Sequence, residues 1–105
     1  MALIVTIPTS AHATPGNFFY KYGDPAKPGL GTIEEPPTNR CINIPEVKGK
    51  DFTAFAPDNA TPEAYTIVYE LEDCGGTQTK VPASTKLGPD VQFRSVEFET
   101  DFSTG

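Results

Sequence analysis

The sequence predicts an all-β fold: two Greek-key motifs forming a small β-sandwich with one disulfide. Three observations carry that expectation. Proline and glycine contribute 11 and 9 of the 105 residues. Proline breaks helix interiors and glycine marks turns, so a helical bundle or a coiled coil is excluded. No stretch of about 11 residues keeps a helical period without a proline or glycine inside it. Short apolar runs recur instead at intervals of about ten residues, the spacing of strands in a sandwich or barrel. The third observation is the pair Cys41 and Cys74, the only cysteines. A chain of this length supports one domain, and Leu, Ile, Val and Phe supply 23 residues for its core.

The elements follow in order. Leu3 to Ile7 reads as a strand ended by Pro8, and Thr9 to Asn17 as a loop. Phe18-Phe19-Tyr20-Lys21-Tyr22 is a strand by aromatic density. Gly23 to Gly31 holds Pro25 and Pro28 and reads as a stiff loop, and Pro36-Pro37 makes a further break. Arg40 to Ile44 alternates as a strand. Asp51 to Ala56 is a strand anchored by Phe52 and Phe55, followed by a turn from Pro57 to Pro62. Tyr65, Ile67, Tyr69 and Leu71 share one face of a strand, with Thr66, Val68 and Glu70 on the other. Gly75-Gly76 folds the chain back into Thr77 to Val81 as a hairpin. Pro82 to Pro89 is a loop. Val91 and Phe93 begin a strand in one phase, and Val96, Phe98 and Phe102 continue in the other. A bulge near Arg94-Ser95 accounts for the switch.

Charge narrows the partners. With 8 Lys and Arg against 14 Asp and Glu the chain carries −6. Nucleic acid and anionic membrane surfaces are therefore disfavoured, since both require clustered cations. The acidic groups around Glu70 to Asp73 and Glu97 to Asp101 alternate with apolar residues and read as solvated strand faces. No apolar run approaches the length of a membrane span. Cys41 and Cys74 have no CxxC spacing and no partner histidine, which excludes a zinc site. A disulfide is the economical assignment, the alternative being two buried thiols. The bridge would stabilise the fold by about 3–4 kcal/mol and imply an oxidising compartment, hence secretion.

Two spacings recur. Tyr22 precedes Gly29, and Tyr69 precedes Gly76, each with six residues between. Later in each half a small polar residue lies among aromatics: Thr53 in DFTAF and Ser95 in FRSVEF. The chain thus divides into a first motif over about 18–56 and a second over about 64–102, with 1–17 as an N-terminal strand and loop. This pattern resembles the Greek-key motif of the βγ-crystallin superfamily. The resemblance implies that the glycine takes a positive φ at a folded-back hairpin, the aromatic ring packs over that turn, and the later serine pins it. Tyr22, Gly29 and Thr53 would serve the first motif, and Tyr69, Gly76 and Ser95 the second. The stretch CINIP…FTAFAPDNATPEAYTIVYELEDCGG is also similar to small secreted fungal proteins of this superfamily, in which two cysteines so placed pair.

Chemistry is sparse. Of the calcium pattern N/D-N/D-x-x-S/T-S that the family often carries, only Asp90 and Ser95 fit. No cofactor or metal is expected, with calcium left as an alternative. His12, the single histidine, has no cysteine or suitably placed serine to activate, and a chain this short leaves little room for a glycosidase cleft, so no catalytic residues are assigned. Asn59-Ala60-Thr61 is a glycosylation sequon expected on a surface turn. Proline-stiffened loops at Gly23 to Gly31 and Pro82 to Pro89 suit docking, with Tyr20, Tyr22 and Tyr65 as exposed anchors. The functional expectation is a small secreted, non-catalytic binding protein, monomeric or weakly dimeric. Its target would be a protein or cell surface, and its role defence-, toxin- or effector-like. A protease inhibitor and a calcium-stabilised surface protein are the alternatives.

Overall fold

The computed structural model describes residues 13–100. The strand expected over residues 3–7, His12, Asp101 and Phe102 lie outside them. Among the described residues nine strands form two antiparallel sheets: β1 (Asn17–Tyr22), β2 (Gly29–Glu34), β3 (Cys41–Asn43), β4 (Ala54–Ala60), β5 (Ala64–Leu71), β6 (Gly75–Val81), β7 (Thr85–Lys86), β8 (Gln92–Phe93) and β9 (Ser95–Thr100). A 3-10 turn at Glu72–Cys74 joins β5 to β6.

The first sheet runs β2-β1-β4-β7, with β8 also against β4, and the second runs β3-β9-β5-β6. Each sheet is built mainly from one half of the chain and completed from the other, the second sheet by one strand and the first by two. β3 leaves the first half to pair with β9, and β7 and β8 leave the second to pair with β4. Neither half can therefore close its sheet alone. The disulfide Cys41–Cys74 ties the exchanged β3 to the 3-10 turn of the sheet it joins. Asn43 reinforces the tie: its Nδ2 donates to Asp73 Oδ1 at 3.0 Å and its Oδ1 accepts from the Asp73 amide at 2.8 Å.

The interior lies between the sheets. Phe18, Tyr20, Ala54 and Phe93 enter it from the first sheet, and Val68, Val81, Val96 and Phe98 from the second. Ile44 and Val47, in the segment after β3, complete it. Phe18 is the hub, with ring centroids at 5.3 Å from Phe98 and 6.0 Å from Phe93, both edge to face.

Several expectations are corrected. The loop drawn to Gly31 ends earlier, because Gly29 and Gly31 belong to β2 and face the rings of Tyr22 and Tyr20 across β1. The 57–62 turn starts later, because β4 continues through Pro57 to Ala60. The register against β1 skips a residue here, Phe19 facing Asp58 and Lys21 facing Phe55. Ala56 takes φ 53° at this bulge, where the missing proline N–H is tolerated. The first motif's last strand therefore overruns its expected boundary at 56. Which face of β5 is buried the sequence left open: Ala64, Thr66 and Val68 are buried, and of the other face Tyr69 is buried while Tyr65 and Ile67 are half-buried. The smaller side chains fit opposite the large rings of the first sheet.

The phase switch at Arg94-Ser95 has a different cause from the expected bulge. β8 ends in the first sheet and β9 begins in the second. Phe93 and Val96 thus both point into the same interior from opposite walls. The Arg94 backbone makes the crossing: its N–H donates to Tyr69 O at 2.8 Å and its carbonyl accepts from Ile44 N at 2.9 Å.

Candidate functional site

The second hairpin matches the resemblance in part. Gly76 has φ 78°, a left-handed conformation that glycine adopts without steric cost. Ser95, fully buried, pins the turn from both sides: its Oγ donates to Leu71 O at 2.6 Å and accepts from Cys74 N at 2.9 Å. The atoms nearest a side chain at Gly76 belong to Leu71 and Glu70, not to Tyr69. Tyr69 instead donates its hydroxyl to Glu97 Oε1 at 2.9 Å. Burial, then that bond, push the Tyr69 hydroxyl pKa up. Glu99 on the same face is also raised, by desolvation and then by Glu97 beside it.

The first hairpin is built differently. Positive φ falls on Gly23, at 86°, while Gly29 lies in β2 with its Cα against the Tyr22 ring. Thr53 reaches the hairpin through its carbonyl, which accepts from Gly23 N at 3.2 Å. Its hydroxyl faces Gln92 at 3.4 Å. Ser95→Ala should cost about 1–3 kcal/mol, because the Leu71 carbonyl and the Cys74 amide, both in part-buried hydrogen bonds, lose their partner. Thr53→Ala should be near neutral, and urea unfolding of the two variants compares them.

A second aromatic–glycine pair escaped the spacing argument. Tyr20 faces Gly31 directly, as Tyr22 faces Gly29, and a Cβ at Gly31 would fall within the Tyr20 ring. The signal was available: in an antiparallel hairpin, pairing Tyr22 with Gly29 also sets Tyr20 opposite Gly31. Tyr20 is 3% exposed and donates its hydroxyl to Glu46 Oε1 at 2.6 Å, which corrects its expected role as an exposed anchor. Desolvation, followed by the Glu46 bond, raises its pKa. Gly31→Ala should cost about 1–3 kcal/mol by overpacking. Gly29→Ala should cost less because the half-buried Tyr22 ring can swing outward, and thermal unfolding should rank the two in that order. Tyr65 remains on the outer face of β5, with Lys80 Nζ 4.3 Å above its ring.

Asn59 is corrected most sharply. It is fully buried in β4, and its Nδ2 donates to Ala64 O at 2.9 Å, Val81 O at 3.2 Å and Pro82 O at 3.1 Å. Its Oδ1 accepts from Thr61 N at 3.1 Å and from Thr61 Oγ1. The sequon threonine is thus the partner of its own asparagine. A glycan on this amide would displace all three carbonyls, so Asn59 is structural and not a surface acceptor.

Of the two stiffened loops, the 82–89 segment alone reaches a groove of about 610 Å³ on the outer face of the first sheet: Lys86, Leu87, Gly88 and Pro89 form one border and Leu30 and Gly31 of β2 the other. Phe19 and Ala56 form its floor, and Lys21, Asp58 and Lys86 are its charged side chains. Phe19 is 39% and Leu30 76% exposed, large apolar surfaces left in water side by side. A polar trough of about 490 Å³ near Thr53, Glu70 and Arg94 is smaller. Among the described residues no group of three or more His, Cys, Asp or Glu comes together, and no helix is long and apolar enough to cross a membrane. No protein-family model matches the chain, no curated protein matches its sequence, and no solved structure matches it.

Proposed function

We propose that this chain is a small secreted, non-catalytic binding protein of βγ-crystallin-like type, and that it engages a protein or cell-surface target through the groove on the first sheet. The observation that carries the reading is the groove that sets exposed Phe19 and Leu30 beside the proline-stiffened 86–89 segment. Exposed apolar area held on a rigid sheet favours association, because little conformational freedom is lost on docking. The disulfide supports an oxidising compartment. Gly76 at positive φ and the Ser95 pin support the family likeness. A defence, toxin or effector role follows from that likeness.

The segment 82–89, which a protease inhibitor would present as a projecting loop, is held along β4. Thr85 and Lys86 pair with Asn59 and Asp58, and Leu87 N donates to Pro57 O at 2.9 Å. A protease panel should therefore show no inhibition at micromolar protein. The direct test applies fluorescently labelled protein to fungal, bacterial and plant cells beside a Phe19→Ser/Leu30→Asp variant of matching melting temperature. Staining of at least one cell type by the wild type and not by the variant is expected. No staining anywhere, or equal staining by both, overturns the proposal.

A further inference from the structure

Charge singles out the groove from the rest of the molecule. The chain as a whole carries −6, yet the groove presents two lysines, Lys21 and Lys86, against one carboxylate, Asp58. Asp58 stands directly across from Lys86 in the β4–β7 ladder and beside Phe19 in the β4–β1 ladder. The ion pair closer than about 4 Å among the described residues joins Arg94 to Glu72, so neither groove lysine has a carboxylate at that range. Phe19 and Ala56 line the groove with the lysines, Asp58 standing between Phe19 and Lys86, and Leu30, Leu87 and Pro89 add apolar surface at its borders. An apolar floor beside two cations on an otherwise acidic protein is complementary to an apolar group flanked by anions.

We propose, on the strength of the binding reading above, that the groove takes an acidic-apolar segment of the target protein: one aromatic or branched aliphatic side chain flanked by carboxylates. The apolar side chain lies over Phe19, and the carboxylates reach Lys21 and Lys86. A protein segment is favoured over a small amphiphilic acid by Leu30. At 76% exposure it stands at the open border of the groove, and covering it takes a surface broad enough to ride over β2. The chain's net charge of −6, which includes the groove, disfavours acidic partners over the molecule as a whole, whereas the groove has more cations than carboxylates.

The test maps blocked pentapeptides onto the 15N-labelled, disulfide-bonded full chain by NMR. The probes are Gly-Glu-Phe-Glu-Gly, Gly-Lys-Phe-Lys-Gly, Gly-Glu-Gly-Glu-Gly and, as a small amphiphile, octanoate. The acidic phenylalanine peptide should shift the amides of Phe19, Leu30 and Leu87. It should bind about fivefold more tightly than the basic one at low salt, as expected for two exposed ion pairs. That preference should shrink at about 0.5 M salt, where charges are screened within a few ångströms. Lys21→Glu/Lys86→Glu, both surface changes, should reverse the preference. Equal binding of acidic and basic peptides, with Phe19→Ser abolishing both, overturns the acidic specificity while the groove stands as a binding surface. Absence of groove shifts with every peptide overturns the inference. If cell staining is also insensitive to Phe19→Ser/Leu30→Asp, the underlying reading fails with it. Tighter binding of octanoate than of the peptide reassigns the groove to a small amphiphile, and concentration-dependent dimerisation through the groove amides reassigns it to a second copy. Either result overturns the proposal.

Discussion

Asn59→Asp should destabilise the protein by at least about 3 kcal/mol at neutral pH, enough to unfold much of a small domain near its melting range. The side-chain amide of Asn59 is the shared donor for the carbonyls of Ala64, Val81 and Pro82, in a site with no exposure. A carboxylate of the same shape turns three attractive contacts into three oxygen–oxygen repulsions and places a charge in the interior. Burial and those carbonyls raise the introduced carboxyl's pKa in the folded state above its ordinary value. A carboxyl so raised penalises folding above that pKa, and the penalty lifts as pH falls and the group protonates. The variant's deficit against wild type should therefore narrow from pH 7 towards pH 4. Asn59→Ala, which loses the bonds without adding charge, should show a smaller deficit that hardly changes with pH. Chemical denaturation across that range measures both. A deficit for Asn59→Asp that stays constant with pH would contradict the buried geometry.

The second large effect is expected at the disulfide. Replacing both cysteines by serine should cost about 3–4 kcal/mol, since the bridge joins positions 33 apart in the sequence. The loss should concentrate on β3. This three-residue strand sits at the edge of a sheet otherwise made by the second half, and besides its ladder to β9 it has the Asn43–Asp73 bonds and the bridge to hold it. Hydrogen exchange of the double variant should speed up first at residues 41–50, ahead of β1 and β5 in the sheet centres. Uniform acceleration across both sheets would instead show that the bridge acts only through the unfolded chain. Intact mass before and after reduction, differing by about 2 Da per bridge closed, checks the disulfide itself.

The sequence by itself determined the class of this fold. Proline and glycine punctuation excluded helices, aromatic density located β1, alternation β3, β5 and β9, and the Gly75-Gly76 turn β6, and the two cysteines paired as their number suggested. These properties are local: a strand's period and a turn's φ are written in a few neighbouring residues. The roles of the hairpin glycine Gly76 and the pinning Ser95 came from the family resemblance, since Ser95 holds backbone groups more than twenty residues away. Tertiary structure alone decided what depends on distant partners. The exchange of β3 and β7 between sheets, the crossing at Arg94 and the choice of the Thr66–Val68 face of β5 each follow from which surfaces fill the space around Phe18. Alternation shows that a strand has two faces, but burial of the larger rings opposite selects the inner one. The same holds for the site. Asn59 resembled a surface acceptor until β4 carried it under the carbonyls of Val81 and Pro82. Phe19, a strand residue in the sequence, and Leu30, read there as part of a loop, became neighbours on an open groove only when β1 paired with β2. Hydrogen-bond partners and neighbours across a sheet are set by the packing of the whole chain, which is why composition and spacing stop short of them.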